Sequence, residues 1–524
     1  MSMNPFDSPR NGALVAYQRV EHGCDAVFGS ALNPWRHLGA LGFLFFWIIA
    51  ASGFYLYAVL DTSVHGVYRS INWLSREQWY LGGVLRSLHR YAADAFLAVT
   101  LLHLLREFLL GRYTGFRRFS WLTGVPLLWF IYISGAVGFW IRWDQLAQYS
   151  AVATAEWLDS LPVFATPLTR NFLSATAVSD RLFSLFVFVH IVVPLLLVFG
   201  LWFHIQRISR AEVFPPRALA AGSLLALLAL SLTLPVASQA PADLSLVPGP
   251  LAFDWFYLFL HPLMYATSAG AVWALVTAAT LLLLILPAFS RGAGPPVAEV
   301  HPDACNGCRR CFEDCPFGAI VMVPHPGGIA GRQFASVIPN LCASCGICAG
   351  ACPSSTPFRS VAELVTGIDM PQLPIGKLKQ ALGLGLAQLQ GEDRIVVFGC
   401  DQGASVANLA GADVASFSLI CTGMLPPSFV EYAVRSGATG VLVTGCRAGG
   451  CAYRLGNRWT EERLAGTREP HLRRSVRREA LRIAWADRDE DDDLAAALDE
   501  FRRVLAQTRL HDSIVASTGM SAHG

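Results

Sequence analysis

Two pairs of histidines with the same spacing constrain this chain more than any other feature. His89 and His103 lie in one apolar segment, and His190 and His204 lie in another. Fourteen residues make about 3.9 turns of α-helix, so the members of a pair face nearly the same way, about 21 Å apart along the axis. A lone histidine is usually a satisfied core residue, but ionisable groups in membrane segments are costly. Two matched pairs therefore favour two bis-imidazole sites stacked across a bilayer, as in a transmembrane di-haem protein.

The composition agrees with a membrane-embedded first half. Hydrophobic residues make up 53% of the 524 residues, and the mean hydropathy of +0.43 is too high for an ordinary soluble chain. Six apolar segments are long enough, or nearly so, to cross about 30 Å of hydrocarbon. They are residues 38–58, 87–110, 121–141, 182–203, 217–236 and 268–289. From Pro295 onward the sequence is typical of soluble α/β structure and loops.

Loop charges predict the orientation in the membrane. Residues 1–30 carry charges throughout and lack a hydrophobic run, so we expect no cleavable signal peptide. Ten arginines occupy the N-terminal segment and the 106–118 and 207–217 segments, against six in the loops of the opposite face. The positive-inside rule then places both termini in the cytoplasm. The first histidine of each pair is expected near the outer face, and the second near the inner face.

Eight of the thirteen cysteines form a repeated motif. Cys305-x2-Cys308-x2-Cys311-x3-Cys315-Pro316 recurs as Cys342-x2-Cys345-x2-Cys348-x3-Cys352-Pro353. Bacterial two-cluster ferredoxins have this run, and the fourth cysteine of each motif binds the other cluster. Zinc ribbons lack the third cysteine and the Cys-Pro ending, and a cytoplasmic position excludes structural disulfides. One [4Fe–4S] cluster is expected on Cys305, Cys308, Cys311 and Cys352, and a second on Cys342, Cys345, Cys348 and Cys315.

The last region predicts a different domain. Residues 395–400, 413–421 and 437–446 are apolar strand runs that each end in cysteine, and helical stretches lie between them. This alternation predicts a parallel sheet, and ligands of such sheets gather at the carboxyl ends of the strands. Cys400, Cys421, Cys446 and Cys451 therefore indicate a [2Fe–2S] or related site, although any one of them is also compatible with a buried structural cysteine. The remaining Cys24 is expected to be a plain thiol.

Two charged blocks follow this region. A basic stretch at 471–482 and an acidic stretch at 487–500 are interpreted as solvated helix faces, with a docking surface as the alternative. A formal net charge of +2 gives no indication of nucleic-acid binding. Because the GxGxxG signal is absent, we expect the chain itself to bind neither NAD nor FAD.

Residues 32–290 resemble the cytochrome b of quinol-oxidising bc and b6f complexes. Besides the histidines, glycines recur at fourteen-residue intervals, where they let a flat macrocycle approach a helix backbone; helix–helix packing is the alternative reading. These glycines are Gly39, Gly53, Gly124 and Gly138. The stretch GFWIRWDQLAQYSA (138–151) also resembles the family. The resemblance implies two b haems, with Arg86 and Arg106 near the propionates.

The candidate quinone residues depart from the pattern of this family. The family's Pro-Glu-Trp-Tyr motif is replaced here by Phe-Asp-Trp-Phe at 253–256. Asp254 is either a quinone proton carrier or a solvated loop acid. His37 stands roughly where b6f cytochromes attach an extra haem through cysteine, so that haem is not expected. His37 is either part of an inner quinone site or a surface histidine. The chain has six predicted spans where the full bc-type cytochrome has eight.

Residues 393–510 resemble the delta subunit of methyl-viologen-reducing hydrogenase, on the segment CTGMLPPSFVEYAVRSGATGVLVTGC and the following CAYRLGN. That family opens with two nearby cysteines and carries later histidines, whereas this chain offers only Cys400 there and has Arg447 and Ala452 at the later positions. The resemblance implies electron transfer with a flavin-bearing subunit similar to heterodisulfide reductase.

The sequence thus predicts a multidomain fold: an all-α six-helix membrane bundle, then an α+β two-cluster ferredoxin, then an α/β parallel-sheet domain. The expected segments are an N-terminal cytoplasmic segment 1–31, the cytochrome 32–290, a linker 291–304, the ferredoxin 305–356, a connector 357–392, the iron–sulfur domain 393–510 and a tail 511–524.

We interpret this chain as the membrane subunit of a quinone oxidoreductase complex in the cytoplasmic (inner) membrane of a bacterium or archaeon. Electrons would pass between a cytoplasmic flavoprotein and the quinone pool through one [2Fe–2S] cluster, two [4Fe–4S] clusters and two b haems. Expected partners are that flavoprotein, quinone and membrane lipid, with a homodimer implied by analogy with bc-type cytochromes and no nucleic acid. The alternative is a self-contained reductase of disulfides or sulfur compounds at the C-terminal cysteines.

Overall fold

The computed structural model describes residues 7–163, 166–206, 211–289, 296–328, 331–361 and 363–520. These residues form two compact units. The first unit contains the described residues up to 206 together with 211–289, and the second contains those from 296 onward.

The first unit is mainly helical, with a long non-helical segment at 234–259. Its regular elements are α1 (Asp7–Phe28), α2 (Leu38–Val59), α3 (Val67–Arg76), α4 (Val84–Leu109), α5 (Arg118–Ile141), α6 (Gln145–Asp159), α7 (Leu168–Phe172), α8 (Asp180–Ile205), α9 (Arg217–Thr233), α10 (Leu260–Ala266) and α11 (Ala269–Ile285). Side-chain caps define two of the starts. Asp144 accepts a hydrogen bond from the backbone of Ala147, and Ser268 accepts one from Ala271, so each satisfies an amide that the first helical turn leaves free.

Among the residues that the structure describes, four helices are long and apolar enough to cross a membrane: Leu38–Val59, Gly115–Ile141, Asp180–Ile205 and Ala269–Phe289. The other two predicted spans form helices with different properties. α4 has 26 residues but carries five charged side chains, and α9 has only 17 residues. A helical membrane protein is therefore supported, and the number of six spans stays a prediction.

Two helix pairs organise this unit: α2 packs against α4, and α5 packs against α8. The α2–α4 contact is a layer of large apolar side chains, including Leu41, Phe45 and Phe96. Helix α1 is held to the bundle by a buried ion pair in which Arg106 of α4 lies 3.2 Å from Glu21. Consequently, the helices that carry the histidine pairs are each aligned with a helix that carries a glycine pair.

The second unit begins with short strands and helices around the cysteine motifs. Its elements are β1 (Glu299–Val300), α12 (Arg310–Asp314), β2 (Ile320–Pro324), β3 (Gln333–Val337), α13 (Ile347–Ala351) and β4 (Ile368–Asp369). β2 and β3 form an antiparallel hairpin, and β1 pairs antiparallel with β4. In the sequence, β1 precedes the predicted ferredoxin segment 305–356 and β4 follows it, so both cysteine motifs lie between these two paired strands.

A four-stranded parallel sheet follows, as predicted. Its elements are α14 (Ile375–Gln388), β5 (Ile395–Cys400), β6 (Val414–Leu419), α15 (Pro427–Arg435), β7 (Gly440–Gly445), α16 (Gly456–Leu464), β8 (Leu481–Trp485) and α17 (Asp491–Met520). The strand order is β6-β5-β7-β8. The interpretation of 471–482 as a helix face is wrong: residues 471–477 form turns and loop, a short 3-10 turn follows at Arg478–Ala480, and Leu481 and Arg482 begin β8 and pair with β7. Strand β8 is only five residues long and follows directly on an arginine-rich stretch, so the charge pattern concealed it.

One hydrophobic core joins the cysteine motifs to the sheet. It contains Ala298, Cys348 and Ile368 from the first part and Phe398 and Val443 from the sheet. The predicted connector belongs to this core, since Ile375, Leu378 and Leu382 of α14 are fully or nearly fully buried. The second unit is therefore a single folded body and not a string of tethered domains.

Leu382→Ala should destabilise the second unit by about 2–5 kcal/mol, because a fully buried leucine leaves a cavity. Leu384→Ala is the matched control on the same helix, since Leu384 is 69% exposed and exposed substitutions usually change stability by less than about 0.5 kcal/mol. Thermal unfolding of the purified full chain in detergent, followed by limited proteolysis, measures both. Equal melting temperatures of the two variants would show that α14 does not pack on the sheet.

Candidate metal centres

His89 of α4 and His190 of α8 face each other inside the first unit. Their ring centroids lie 6.1 Å apart. Two metal–nitrogen bonds of about 2 Å each, with the two half-rings, account for such a separation. Each ring is oriented through Nδ1: His89 Nδ1 lies 3.0 Å from the Ile49 carbonyl oxygen, and His190 Nδ1 lies 3.0 Å from that of Ser134. Donation through Nδ1 leaves Nε2 available to bind a metal.

The second pair consists of His103 and His204, which lie fourteen residues further along α4 and α8. His204 Nδ1 is 3.2 Å from Thr123 Oγ1. The Thr123 hydroxyl donates within its own helix, to the carbonyl oxygens of Phe119 or Ser120, so it is free to accept from the imidazole. In the first pair, Ser52 Oγ lies 3.1 Å from His89 Nδ1 in the same way. Hydroxyl groups of α2 and α5 thus lie within hydrogen-bonding distance of one histidine in each of these two pairs, His89 and His204.

Each predicted glycine lies against one histidine. A Cβ atom built on Gly39 would lie 3.5 Å from His103 Cε1, and one on Gly124 would lie 3.3 Å from His204 Cε1. At the other level, a Cβ on Gly53 or Gly138 would lie 3.1 Å from Cε1 of the facing histidine, tighter than most real contacts. The four glycines therefore leave the space that the imidazole rings occupy. In each helix pair, α2 with α4 and α5 with α8, the glycines of one helix and the histidines of the other are both fourteen residues apart. These residues fit a flat macrocycle with two axial nitrogens.

The two arginines predicted near propionates have protein partners. Arg86 donates to Ser75 Oγ at 2.6 Å and to Ser238 Oγ at 2.8 Å. Arg106 forms the buried pair with Glu21. Both lie at the ends of α4, at the levels of the two histidines, and their role toward propionates stays a prediction.

The predicted quinone residues lie apart from each other in sequence and environment. Asp254 pairs with Arg90, which also lies 3.1 Å from Asp94. The Asp254 carboxylate further accepts from the backbone of Phe256 at 3.1 Å and Tyr257 at 2.9 Å. It is thus a half-buried, structured carboxylate and not a freely solvated loop acid. His37 precedes α2 and places Nε2 3.0 Å from the Ala31 carbonyl oxygen.

Sequence reasoning missed several of these residues. Arg90, which links Asp94 to Asp254, was not assigned, although an arginine on a predicted membrane helix is itself a signal for a buried partner. His261 was also missed: it is 5% exposed, and Thr154 Oγ1 lies 2.8 Å from its Nε2. The hydroxyl supports from Ser52 and Thr123 carry no sequence signal, because threonine and serine are common in membrane helices.

The eight ferredoxin-type cysteines line two separate cavities. One is lined by Cys305, Cys308, Cys311 and Cys352, and the other by Cys315, Cys342, Cys345 and Cys348. These are the two crosswise sets that the motif spacing predicts. Burial raises the pKa of the Cys311 thiol to about 12, and neighbouring cysteines of its set add to that shift. Such thiols become thiolates only when a metal centre binds them.

The four C-terminal cysteines converge at the carboxyl edge of the sheet. Hydrogen bonds with Cys421 and Cys446 lower the pKa of the Cys400 thiol, and hydrogen bonds with the same two thiols lower the pKa of Cys451. Each sulfur is therefore adjacent to two others. Within the described ranges, no group of three or more His, Cys, Asp or Glu side chains has the spacing of a single bound metal ion.

Arg447 stands where the hydrogenase delta family has a histidine, and three acidic residues around this edge contact it. Its side chain lies 2.6 Å from Glu490 and 3.2 Å from Asp493, and its backbone N–H donates to Asp487 at 3.0 Å. The acidic stretch therefore has a structural task beyond solvation, because it anchors the loop between Cys446 and Cys451. The position where the related family has a histidine is used here for this anchor.

Three family models match the chain, one after another. Residues 24–211 match Cytochrome b/b6/petB, residues 304–356 match the 4Fe-4S dicluster domain, and residues 395–508 match the methyl-viologen-reducing hydrogenase delta subunit. The three resemblances predicted from the motifs are thereby confirmed, in the predicted order. The first match implies haem b, the second implies iron–sulfur clusters, and together they support a membrane electron-transfer subunit of an oxidoreductase.

The chain is also similar to a solved structure described as "Hyperthermophilic respiratory Complex III". The identity is 19%, the TM-score is 0.40, and the alignment covers 49% of this chain and 75% of that chain.

Gly53→Val should prevent haem binding at the candidate site of His89 and His190 while leaving the candidate site of His103 and His204 intact, because a side chain at position 53 displaces the His89 ring. Gly222→Val in α9 is the control, since a Cβ there meets no atom within 4 Å. The haem-to-protein ratio and the reduced-minus-oxidised optical spectrum of the purified chain measure the loss. Full haem content in Gly53→Val would contradict the close approach.

Thr123→Val should raise the reduction potential of the haem at His103 and His204. The hydroxyl accepts from His204 Nδ1–H and so makes the imidazole a stronger electron donor to the metal. Thr100→Val is the matched control, because the Thr100 hydroxyl makes the same kind of helix bond, to Phe96, without touching a histidine. An optical redox titration measures the reduction potentials of both variants. A reduction potential that falls or stays unchanged in Thr123→Val would rule out this role for Thr123.

Proposed function

We propose that the chain is the membrane subunit of a quinone-linked oxidoreductase complex. It passes electrons between a cytoplasmic flavin and iron–sulfur partner, similar to heterodisulfide reductase, and the quinone pool. The route comprises one [2Fe–2S] cluster at the C-terminal cysteines, two [4Fe–4S] clusters and two b haems. The observation that carries this proposal is the combination, in one chain, of facing histidines in an apolar helical bundle with three separate groups of four cysteines.

The residues of the chain supply position and environment. The imidazoles at the first level are fixed by carbonyl oxygens of the glycine-bearing helices, Ile49 and Ser134. Apolar helices exclude water around them and thereby tune their potentials. A bound haem or cluster exchanges one electron at a time without proton transfer from its ligands. Proton handling is therefore a task for side chains near the quinone.

Asp254 is the residue that we assign to this proton transfer. Arg90 holds the carboxylate in place, and the exposed indole of Trp255 (66% exposed) adjoins it in sequence at the surface. A carboxylate at the outer face takes protons from outside while electrons arrive from inside, so each turnover moves charge across the bilayer. One charge moved across 100 mV is worth about 2.3 kcal/mol. Turnover in this direction consumes membrane potential, and the reverse generates it.

The alternative, a self-contained reductase of sulfur compounds at the C-terminal cysteines, is not favoured. Cys400, Cys421 and Cys446 are all nearly fully buried and Cys451 is half-buried, and each of the four thiols is hydrogen-bonded to two of the others. A reactive thiol must be accessible to its substrate. This arrangement supports a closed cluster site.

Asp254→Asn should slow the oxidation of reduced haem by added quinone about a hundredfold or more, as removal of a proton-transferring group does. The haem spectra should stay unchanged, since the residue touches neither histidine. Asp243→Asn is the control, because Asp243 is an exposed loop acid that also accepts from a backbone amide two residues on.

The measurement uses dithionite-reduced membranes that contain the native complex, mixed with a short-chain ubiquinone or menaquinone analogue in a stopped-flow spectrometer. If the haems of the unaltered protein are not oxidised by either quinone, the proposed function is wrong. If Asp254→Asn is as fast as Asp243→Asn, the quinone site lies elsewhere.

A further inference from the structure

The two ferredoxin-type cysteine sets have different surroundings. Each set has two buried cysteines, but Cys308 of the first set is exposed, whereas the second set has no exposed cysteine. The second set (Cys315, Cys342, Cys345 and Cys348) is called the buried set below, and its cluster the buried cluster. The loop that carries Cys308 lies against the ferredoxin's own hairpin, because a Cβ on Gly307 would lie 2.3 Å from the Gln333 carbonyl oxygen. The loop that carries Cys345 and Cys348 has a different neighbour.

That neighbour is the segment after Cys421. A Cβ on Gly346 would lie 2.9 Å from Met424 Sδ, and a Cβ on Gly350 would lie 2.3 Å from the Gly423 carbonyl oxygen. The contact continues toward the C-terminal site. A Cβ on Gly423 would lie 2.8 Å from Ile347 Cγ1 and 3.1 Å from Gly456 Cα, and a Cβ on Gly456 would lie 2.2 Å from Cys421 Sγ. Two glycines therefore separate Cys421 from the residue that precedes Cys348.

Arg463 fixes this contact. It is 1% exposed and donates to the Gly423 carbonyl oxygen at 2.7 Å and to Asp314 Oδ2 at 2.6 Å. Asp314 immediately precedes Cys315, the fourth cysteine of the buried set. Trp459, from the same helix as Arg463, donates through Nε1 to the Asp314 carbonyl oxygen at 3.1 Å. One guanidinium thus touches the segment before one buried-set ligand and the segment after Cys421.

We infer that the C-terminal cysteine site exchanges electrons directly with the cluster at Cys315, Cys342, Cys345 and Cys348, and that Arg463 is the residue that positions these two sites. The cluster at Cys305, Cys308, Cys311 and Cys352 is then the next in the series and the one that faces the surface of this unit. This inference rests on the cluster assignments of the proposed function. The step moves one electron from a reduced cluster to an oxidised one, and no bond forms or breaks.

Electron paramagnetic resonance of the dithionite-reduced full chain tests this order. Two neighbouring paramagnetic clusters broaden each other's signals and shorten their spin relaxation. Cys345→Ser, which alters the buried cluster, should remove the broadening of the C-terminal signal and lengthen its relaxation time severalfold. Cys308→Ser, the matched change in the other motif, should leave both nearly unchanged. The opposite result, or equal effects from the two variants, would overturn the order.

Arg463 is tested in the same spectra. Arg463→Met should reduce the coupling between the C-terminal and buried clusters while all cluster signals remain, and Arg463→Lys should restore part of it. Full coupling in Arg463→Met would contradict the positioning role. If that variant loses its clusters through misfolding, the comparison of Cys345→Ser with Cys308→Ser still decides the order. Because no quinone is added, a failure of the quinone proposal leaves this measurement unaffected.

Discussion

The cost of burying polar ligand groups in apolar surroundings governs both units. An imidazole or thiol without a partner costs several kcal/mol in such a place, and the chain meets this cost by the same two means each time. A hydrogen bond orients the buried group, as the Ile49 carbonyl does for His89, and a glycine lets the neighbouring backbone come close, as Gly456 does for Cys421. Helix pairing, sheet edge and loop contacts are all arranged so that these two conditions hold together.

A second consequence of burial is the dependence on ion pairs. Arg463 and Asp314 are both nearly fully buried, and Asp314 accepts from Arg468 as well, at 2.6 Å. Removing one partner of such a pair typically costs about 3–5 kcal/mol, because it leaves a lone buried charge. In the first unit, Arg106 and Glu21 form a comparable pair between α1 and α4. These pairs fix the register of elements that are far apart in the sequence.

The sequence predicted the features that repeat and failed on those that do not. The histidine and glycine periods, the cysteine runs and the strands ending in cysteine each follow from local spacing, and the family matches and the parallel sheet bear out the organisation drawn from them. Strand β8 was missed because it is only five residues long and its first two residues close the arginine-rich stretch 471–482. The Arg463–Asp314 pair joins residues 149 positions apart, and the Arg90–Asp254 pair joins residues 164 positions apart, so neither left a local pattern. The carboxylate at position 254 was recognised from a motif, but the arginine that holds it was not.

The shared core of the second unit has a mechanical consequence. Many electron carriers work by swinging a tethered domain between donor and acceptor, which makes the rate depend on diffusion of that domain. Here Ile368, Phe398 and Val443 lie in one continuous apolar interior, so the ferredoxin portion has no hinge on which to leave the sheet. Under the proposed function, control of electron flow within this body would come from the potentials of its centres, and a partner would bring its own cofactor to a fixed surface.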